Sequence, residues 1–341
     1  MAPKLAAGKL PAADLASLLA RLRRDDPRLV VGPRPGEDAA VIDFGDRALV
    51  VATDPVTFAT DRIGSYAVHV NANDVAVLGA RPRWFFAVLL LPETSATAAM
   101  ADAIMADVLS ACDALGATVA GGHTEITVGL DRPIVVGQML GEVATSGLVS
   151  KARLAPGDVL LLTRGAAIEG TAILALERRA ALAGRVPDRL LDRAAGLLEE
   201  PGISVVDAAL AAAAAADVHG LHDPTEGGVL AGLAEMATAA GRGLRAFGDR
   251  IPILPETAAI CQALDLDPLA LIASGALLVG AAPGDAPTIV AALAAHGVPA
   301  AAVAEVRPAA EGLTIERAGR VSPLEPPARD EIARLFERDG R

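Results

Sequence analysis

The sequence has few aromatic residues: they fill 2% of its 341 positions, with one Trp and one Tyr. A core built from rings is therefore excluded, and we predict one built from Ala, Leu, Val and Ile within a chain that is 52% hydrophobic. Aromatic platforms on which nucleic-acid bases stack are scarce for the same reason. The length favours two domains over a single core.

Positive charge is also scarce, since 30 Lys and Arg stand against 42 Asp and Glu for a formal net charge of −12. A nucleic-acid or anionic-membrane partner requires a basic face, so we predict neither. No apolar run reaches the roughly 18 residues of a membrane helix, and the N-terminus does not follow the pattern of a signal peptide. The two cysteines lack metal-ligand spacing, which is typical of a reducing compartment. We therefore expect a cytoplasmic protein.

What the sequence does contain is a pair of strand-length hydrophobic runs separated by the turn Gly45-Asp46-Arg47. This pattern predicts a hairpin, with Glu37 and Asp38 before its first strand and Asp54 after its second. The acids then gather at one end of the hairpin. Clustered carboxylates are the ligands of a Mg²⁺ ion that bridges phosphates. A solvated turn gives the same pattern, and the residues alone leave both interpretations open.

A helix is predicted from Ile63 to Gly79, and it carries Asn71, Asn73 and Asp74 among apolar residues. Buried amides and carboxylates require partners. Asn71 and Asp74 are three residues apart and share a face. We expect Asp74 to add a metal-side acid and Asn71 to hold a ligand or a water beside it, while an exposed polar stripe is the alternative.

A short strand from Thr118 to Ala120 is predicted to lead into a loop from Gly121 to Glu125. The glycines Gly121 and Gly122 let backbone approach a ligand, and His123 supplies polar chemistry. A purely structural loop is the alternative.

The polar segment around Lys151 marks a domain boundary, which divides the chain into residues 1–150 and 151–341. A glycine-rich strand-to-helix turn that contains Glu169 follows, without the phosphate-loop or dinucleotide pattern. Further on, Asp223-Pro224 opens a turn, and Thr225 is predicted to cap the next helix. His219 and His222 lack companion ligands and are predicted to be ordinary turn histidines.

Taken jointly and in order, these motifs resemble the aminoimidazole-ribonucleotide synthetase (PurM-like) superfamily, and within it most closely the hydrogenase-maturation family HypE. Thiamine-monophosphate kinase and selenophosphate synthetase are more distant. The motifs that carry the resemblance are Gly36-Glu37-Asp38-Ala39-Ala40-Val41, Thr53-Asp54, Asn73-Asp74-Val75-Ala76-Val77-Leu78-Gly79-Ala80-Arg81-Pro82, Gly121-Gly122-His123-Thr124, Pro156-Gly157-Asp158 and Asp223-Pro224-Thr225-Glu226-Gly227-Gly228.

The resemblance implies a two-domain α/β (α+β) fold, with an N-terminal ATP-binding and dimerisation domain (1–150) and a C-terminal α+β domain (151–341). It also implies ATP and Mg²⁺ as cofactors, and a homodimer. By motif position, the metal-binding acids are Asp38, Asp54 and Asp74, and the catalytic residues are Asp223 and His123. The residues expected to bind nucleotide are Gly36, Glu37, Asn71, Asn73, Gly121, Gly122, Lys151 and Glu169.

The chain departs from the family pattern in three places. Glu37 and His123 each stand where many members have Asp. HypE ends in a cysteine that accepts a carbamoyl group, whereas this sequence ends in Phe336-Glu337-Arg338-Asp339-Gly340-Arg341. The resemblance therefore does not extend to the thiocyanate-forming reaction.

The resulting hypothesis is an ATP- and Mg²⁺-dependent phosphoryl-transfer enzyme that acts on a small-molecule or protein-bound acceptor. One alternative is a nucleotide-binding assembly scaffold without turnover. Another is an enzyme that resembles thiamine-monophosphate kinase.

Overall fold

The computed structural model describes residues 10, 12–22, 25–57 and 61–338. The chain separates into two compact units. The small unit consists of residues 26–32 and 38–149. The large unit contains residues 33–37, everything described from 150 onward, and the described residues up to 25, including helix α1 (Ala12–Leu19). The division into domains 1–150 and 151–341 stays a prediction.

The small unit is a six-stranded sheet with two helices. The strands run in the order β1-β2-β3-β6-β4-β5, and only the edge pair β4 and β5 is parallel. Its elements are β1 (Leu29–Val31), β2 (Ala40–Asp43), β3 (Arg47–Val56), α2 (Ile63–Ala76), β4 (Arg81–Pro92), α3 (Ala98–Leu115), β5 (Thr118–Thr127) and β6 (Ile134–Ala144).

The predicted hairpin is confirmed as β2 and β3. The two strands are antiparallel, with Ala40 opposite Val51, and the Phe44 amide closes the turn by donating to the Arg47 carbonyl at 2.9 Å. Acids that precede β2 and follow the paired part of β3 therefore lie at the same end of the hairpin, as the sequence pattern requires.

Helix α2 packs on β3 and β6 at a distance that only glycine permits. A Cβ atom on Gly137 would lie 2.4 Å from the Asn71 Nδ2, and one on Gly141 would lie 2.3 Å from the Val75 Cγ1. These two glycines are four residues apart on β6, so both face the helix. Helix α2 does not cover the opposite face of the sheet, where Trp84 is 40% exposed.

The predicted loop at Gly121–Glu125 is wrong, because β5 continues as a strand to Thr127. The parallel neighbour β4 supplies the pairing partners, with Val88 opposite His123. An irregularity between Phe85 and Phe86 absorbs the extra residue before the glycine pair. A pair of glycines weakens a strand and indicates its end, but here the neighbouring strand β4 continues the pairing through both of them.

The large unit is built around a mixed seven-stranded sheet in the order β13-β12-β9-β11-β7-β10-β8. Its core contains Leu160, Leu162 and Leu278 from adjacent strands, all fully buried. The elements that follow α1 in this unit are β7 (Val159–Thr163), α4 (Ile168–Glu177), α5 (Arg179–Leu182), α6 (Asp188–Ala195), α7 (Val206–Ala215), β8 (Val218–His222), α8 (Gly228–Ala240), β9 (Gly243–Phe247), α9 (Pro255–Leu264), β10 (Leu278–Ala281), α10 (Ala286–Ala295), β11 (Ala300–Arg307), β12 (Leu313–Arg317), β13 (Arg320–Pro323) and α11 (Glu331–Arg338).

The predicted combination of helices and sheets in an α/β (α+β) protein is confirmed. Among the described helices, none has the length and hydropathy needed to cross a membrane.

Candidate functional site

Asp54, near the end of β3, is held in place by the side chain of Asn71 on α2. The Asn71 Oδ1 accepts a hydrogen bond from the Asp54 amide at 2.8 Å, and its Nδ2 donates to the Asp54 carbonyl at 3.2 Å. The same Nδ2 also donates to the Ala67 carbonyl at 2.8 Å, so both of its hydrogens are used. These contacts make Asn71 a positioning residue for Asp54, and direct contact between Asn71 and a ligand stays a prediction.

The strand register explains why a side chain binds this stretch of backbone. Strand β2 pairs with β3 only as far as Val51, so the backbone groups of Asp54 lie beyond the last residue of β2. A carboxamide carries one acceptor and two donor hydrogens, like a peptide group, and here it takes the place of the missing strand. The backbone of Asp54 is thereby fixed, while its carboxylate remains half-buried.

Asp74 and Asn73 lie in the last turn of α2, where both are buried. Asp74 is one turn from Asn71 on the same face of the helix. The C-terminal end of a helix carries partial negative charge, so a buried carboxylate there is unfavourable unless a cation or hydrogen-bond donors compensate it.

Asp38 belongs to the same region of the small unit. If the β2–β3 register is continued two residues past the pair Ala40–Val51, Asp38 falls opposite Thr53. Asp38 and Asp54 thus follow the last β2–β3 pair at the open end of the hairpin, and Asp74 lies about one helical turn from Asn71, which binds the Asp54 backbone. We call these three residues the acidic corner.

His123 is not part of the acidic corner within this unit. It lies level with Val88, on the face that α2 leaves open, whereas Asp54 is level with Gly137 on the helix-covered face. Three strand spacings separate the β3 and β5 backbones, about 14 Å. The His123 side chain is 67% exposed, and its Nε2 lies 3.7 Å from a Glu125 carboxylate oxygen.

Gly121 and Gly122 lie next to His123 on the edge strand β5. Both are exposed, and they pair with Phe86 and Ala87 of β4. Two strands of the small unit, β6 and β4, lie between Asp54 on β3 and the glycine pair on β5, and the predicted contact of the glycines with nucleotide remains a prediction.

The large unit places Lys151 in a buried polar network. Lys151 is fully buried, and its Nζ donates to the Gly36 carbonyl at 2.5 Å and lies 3.4 Å from the His222 Nδ1. The His222 Nε2 lies 2.9 Å from a Glu235 oxygen. An ammonium can only donate, so the Lys151 contact suits a His222 tautomer with Nδ1 as acceptor and its hydrogen on Nε2, directed at Glu235. We call Lys151, His222 and Glu235 the buried network.

Gly36 and Glu37 belong to the large unit and adjoin this network. Gly36 has a φ of 84°, and a Cβ atom there would lie 2.9 Å from the Glu235 carbonyl oxygen, so the position requires glycine. The Glu37 Oε1 accepts two hydrogen bonds from Arg34, at 2.7 and 2.9 Å. Its Oε2 is buried and has no hydrogen-bond partner among the described residues.

The predicted turn histidines are strand residues, which is a correction. His219 and His222 both lie on β8, and each meets a carboxylate: the His219 Nδ1 lies 2.8 Å from Asp158. The sequence around the two histidines does not reveal these partners, because Asp158 lies in the segment before β7 and Glu235 lies on α8.

Asp223 follows β8 directly and is buried. The loop after it is fixed by the Thr225 carbonyl, which accepts from the amides of Gly228 at 3.0 Å and Ala273 at 3.2 Å. The prediction that the Thr225 side chain caps α8 is wrong, because Gly227 occupies the N-cap position with a φ of 80° and no side-chain cap bond is present.

Glu169 lies in the first turn of α4 and is buried. Burial raises the pKa of Glu169 to about 7, and the charges of Asp330 and Glu226 act in the same direction against a hydrogen bond from the Ser274 side chain. The Glu169 Oε2 has no hydrogen-bond partner among the described residues. The amides of Glu169 and Gly170 donate to loop carbonyls, so this helix start is not an open phosphate cradle.

Asp330 is another buried acid of the large unit, which sequence reasoning missed. Its Oδ2 accepts from the Gly227 amide at 2.7 Å, and its Oδ1 accepts from the Ile332 amide at 2.8 Å. Burial raises the pKa of Asp330 to about 6, and these two backbone hydrogen bonds oppose the shift. Its position just before α11 is an N-cap signal that sequence analysis can recognise.

Glu235 was missed as well, although it is the one charged residue in the sequence of α8. A single acid in an otherwise apolar helix indicates a specific partner. That signal predicts a partner but not its identity, since His222 and Lys151 come from other elements.

Comparison with known proteins identifies the class. The model of the AIR synthase related protein N-terminal domain matches residues 36–143, and that of the C-terminal domain matches residues 155–315. Together the two models match more than half of the chain, which therefore belongs to the AIR synthase related family.

Within that family the chain is similar to HypE. The carbamoyl dehydratase HypE of Rhodobacter capsulatus is 32% identical over 282 residues, which cover 80% of this chain and 79% of that protein. The crystal structure of the hydrogenase maturation protein HypE in complex with ATP has a TM-score of 0.66 at 25% identity, with coverage of 89% and 90% of the two chains. A HypE-HypF complex gives a TM-score of 0.73 at 21% identity and covers 89% and 96% of the chains.

Proposed function

We propose that this chain is a Mg²⁺- and ATP-dependent phosphoryl-transfer enzyme with a small-molecule or protein-bound acceptor. The observation that carries the proposal is the acidic corner, in which the Asn71 side chain fixes both backbone groups of Asp54 at 2.8 and 3.2 Å. A site that positions charged groups for reaction must hold them rigidly, and the buried Asn71 amide holds the Asp54 backbone in this way. The relative solved with ATP supports nucleotide as the ligand.

The acidic corner supplies the kind of oxygen ligands that a magnesium ion would need. Mg²⁺ prefers oxygen ligands and retains several waters, so two or three carboxylates beside a phosphate are enough. A cation also compensates the carboxylate of Asp74 at the negative end of α2. In this proposal Asp38, Asp54 and Asp74 hold the metal, which neutralises phosphate charge when bound.

Catalysis then rests on positioning and charge neutralisation, as in other phosphoryl transfers. The rigid carboxylates of the small unit would hold the metal, which would supply positive charge beside the phosphates. Asp223, on a loop fixed by backbone hydrogen bonds, is the group proposed to act on the acceptor side. A protein-bound acceptor is supported by the relative solved as a HypE-HypF complex.

The test is titration calorimetry of Mg-ATP with Asp54→Asn and Asp74→Asn. Each change removes one carboxylate charge at constant shape, and we expect the nucleotide affinity to fall at least tenfold without loss of the fold. The control is Asp46→Asn, an exposed acid in the turn at the other end of the same hairpin, which should bind as the wild type does. Unchanged affinity in both corner variants would refute the site.

Phosphate release separates an enzyme from a scaffold. Release that depends on Asp54, measured with and without small amides, phosphates and thiamine monophosphate as acceptors, supports the enzyme. Tight ATP binding without release under any of these conditions supports the assembly scaffold instead.

We also propose that the working form is a homodimer. Strand β5 is an edge strand, exposed along nearly its whole length, with Ile126 63% exposed. The neighbouring open face exposes Trp84, and apolar surface beside an unpaired strand edge favours pairing with a second copy. A second subunit docked there would cover the edge strand that carries His123.

Light scattering at micromolar concentration tests the assembly. The wild type should be a dimer, and Ile126→Asp should be a monomer because a charge on an edge strand opposes pairing. Asp46→Asn serves again as the control. A monomeric wild type would contradict the proposed assembly while leaving the metal site to its own test.

A further inference from the structure

One carboxylate joins two helix starts that are far apart in the sequence. The Asp330 side chain accepts from the Ile332 amide in the first turn of α11, and its other oxygen accepts from the Gly227 amide, the residue that caps α8. Charged acceptors form the stronger backbone hydrogen bonds, and Asp330 is only 7% exposed, so water competes little for either bond.

The loop that Asp330 holds is the one that carries Asp223. On its other side this loop is anchored by the Thr225 carbonyl, which accepts from the Ala273 amide at 3.2 Å. The start of α11 is tied to the same neighbourhood, because the amide of its first residue, Glu331, donates to the Ala270 carbonyl at 3.3 Å. The loop therefore lies between two supports, residues 269–273 and the start of α11.

Helix α11 is held by packing more than by its own length. It has eight residues, too few for a stable isolated helix. Leu335 is buried in an apolar cluster with Leu182 and Ile260, and the Arg178 guanidinium lies 4.5 Å from the centroid of the Phe336 ring. The attachment of α11 and the support of the loop thus depend on each other through Asp330.

We propose that Asp330 is a positioning residue, through which docked α11 fixes the Asp223–Gly228 loop for the reaction. This inference rests on the proposed function, in which Asp223 acts on the acceptor side. The hydrogen-bond geometry carries it. Burial and the neighbouring charges of Glu226 and Glu331 raise the pKa of Asp330, whereas the amide donors on both of its oxygens favour the carboxylate form.

The decisive variant separates the two hydrogen bonds. Asp330→Ser retains an N-cap oxygen for α11 but is too short to reach the Gly227 amide as well, whereas Asp330→Ala removes both acceptors. Glu337→Gln, an acid-to-amide change at an exposed position of the same helix, is the matched control.

Hydrogen–deuterium exchange of the full chain, read by mass spectrometry without nucleotide, gives the first result. In Asp330→Ser we expect peptides over residues 224–230 to exchange at least tenfold faster, with peptides over 331–336, β7 and β10 within twofold of the wild type. Asp330→Ala should accelerate both 224–230 and 331–336, and Glu337→Gln neither. Unchanged exchange at 224–230 in Asp330→Ser, or an equal rise in β7 and β10, overturns the proposal.

Steady-state phosphate release gives the second result. Asp330→Ser should lower kcat at least fivefold while Mg-ATP affinity, measured by calorimetry, stays within twofold. Faster loop exchange with an unchanged kcat would show that the contact supports the loop but does not position it for reaction, which also overturns the proposal. Because the exchange experiment needs no nucleotide, failure of the proposed function in the wild type is distinguishable from failure of this inference.

Discussion

Asn71 in the small unit and the buried ions of the large unit use burial in opposite ways. In the small unit the amide of Asn71 is buried and saturated, and it supports a half-buried acid, Asp54. In the large unit the charged groups themselves are buried: Lys151 is fully enclosed, and the acids Glu169 and Asp330 are almost so. The first arrangement presents a charge outward, and the second keeps charges among internal partners.

This difference indicates which charged groups can bind a ligand and which ones stabilise the fold. A carboxylate that retains exposure keeps its capacity to bind a cation, and the neutral amide behind it adds rigidity without adding charge. A buried ion needs its protein partners to offset desolvation. Substitutions in the small unit should therefore reduce binding most, and substitutions in the large unit should reduce stability most.

The largest stability effect should come from Lys151→Ala. It removes the donor to the Gly36 carbonyl and to the His222 Nδ1 and leaves a cavity in place of the lysine stem, so the free energy of unfolding should fall by about 4 kcal/mol. Urea unfolding measures the change. Arg153→Ala, two residues away but exposed in an ion pair with Asp217, should cost less than about 1 kcal/mol. Equal losses in the two variants would remove the distinction between the units.

Asn71→Ala should come next and should affect both properties. Loss of three buried hydrogen bonds should lower the free energy of unfolding by about 3 kcal/mol. With the Asp54 backbone released, Mg-ATP affinity should also fall, as calorimetry would record. Gln138→Ala, an exposed amide of β6, is the control and should alter neither. Loss of stability with unchanged affinity would separate Asn71 from the site.

Glu169→Gln tests the buried charges of the large unit through the pH dependence of the free energy of unfolding. Because the folded-state pKa of Glu169 is raised from 4.5 to about 7, its contribution to stability is full below pH 4.5 and is lost as pH rises through 7. The neutral glutamine does not have this loss. The stability of the variant relative to the wild type should therefore rise between pH 5 and pH 8, by on the order of 3 kcal/mol. Stability is measured by urea unfolding at pH 5, 6, 7 and 8. A difference between variant and wild type that stays constant over this range would contradict a buried ionisable Glu169.

The smallest effect on stability is expected for His123→Asp. Its side chain is exposed, so the free energy of unfolding should change by less than about 0.5 kcal/mol. Any effect on the Mg²⁺ dependence of nucleotide binding should require the assembled dimer, because His123 and Asp54 lie on opposite faces of one sheet. The same change in the Ile126→Asp background should leave affinity unchanged. An effect in that monomer would refute this separation.

The local sequence pattern was sufficient to predict the elements that residues close in the sequence form. Alternation, the Gly45-Asp46 turn and the flanking acids predicted the β2–β3 hairpin, and the spacing of Asn71 and Asp74 predicted their shared face of α2. The N-cap at Asp330 and the lone charge of Glu235 follow the same local rules. The loop expected at Gly121–Glu125 failed because strand β4, some thirty positions earlier in the sequence, supplies the pairing partners.

The sequence by itself determined which functional residues are present: carboxylates beside strand and helix ends, and a glycine at Gly36. It also determined a family resemblance that covers both halves of the chain. Tertiary structure decided which groups meet. It bound Asn71 to backbone beyond the end of β2, set His123 on the other face from Asp54, and joined Lys151 to His222 and Asp330 to Gly227. Hydrogen bonds act over about 3 Å, and only folding brings residues separated by 71 and 103 positions within that distance.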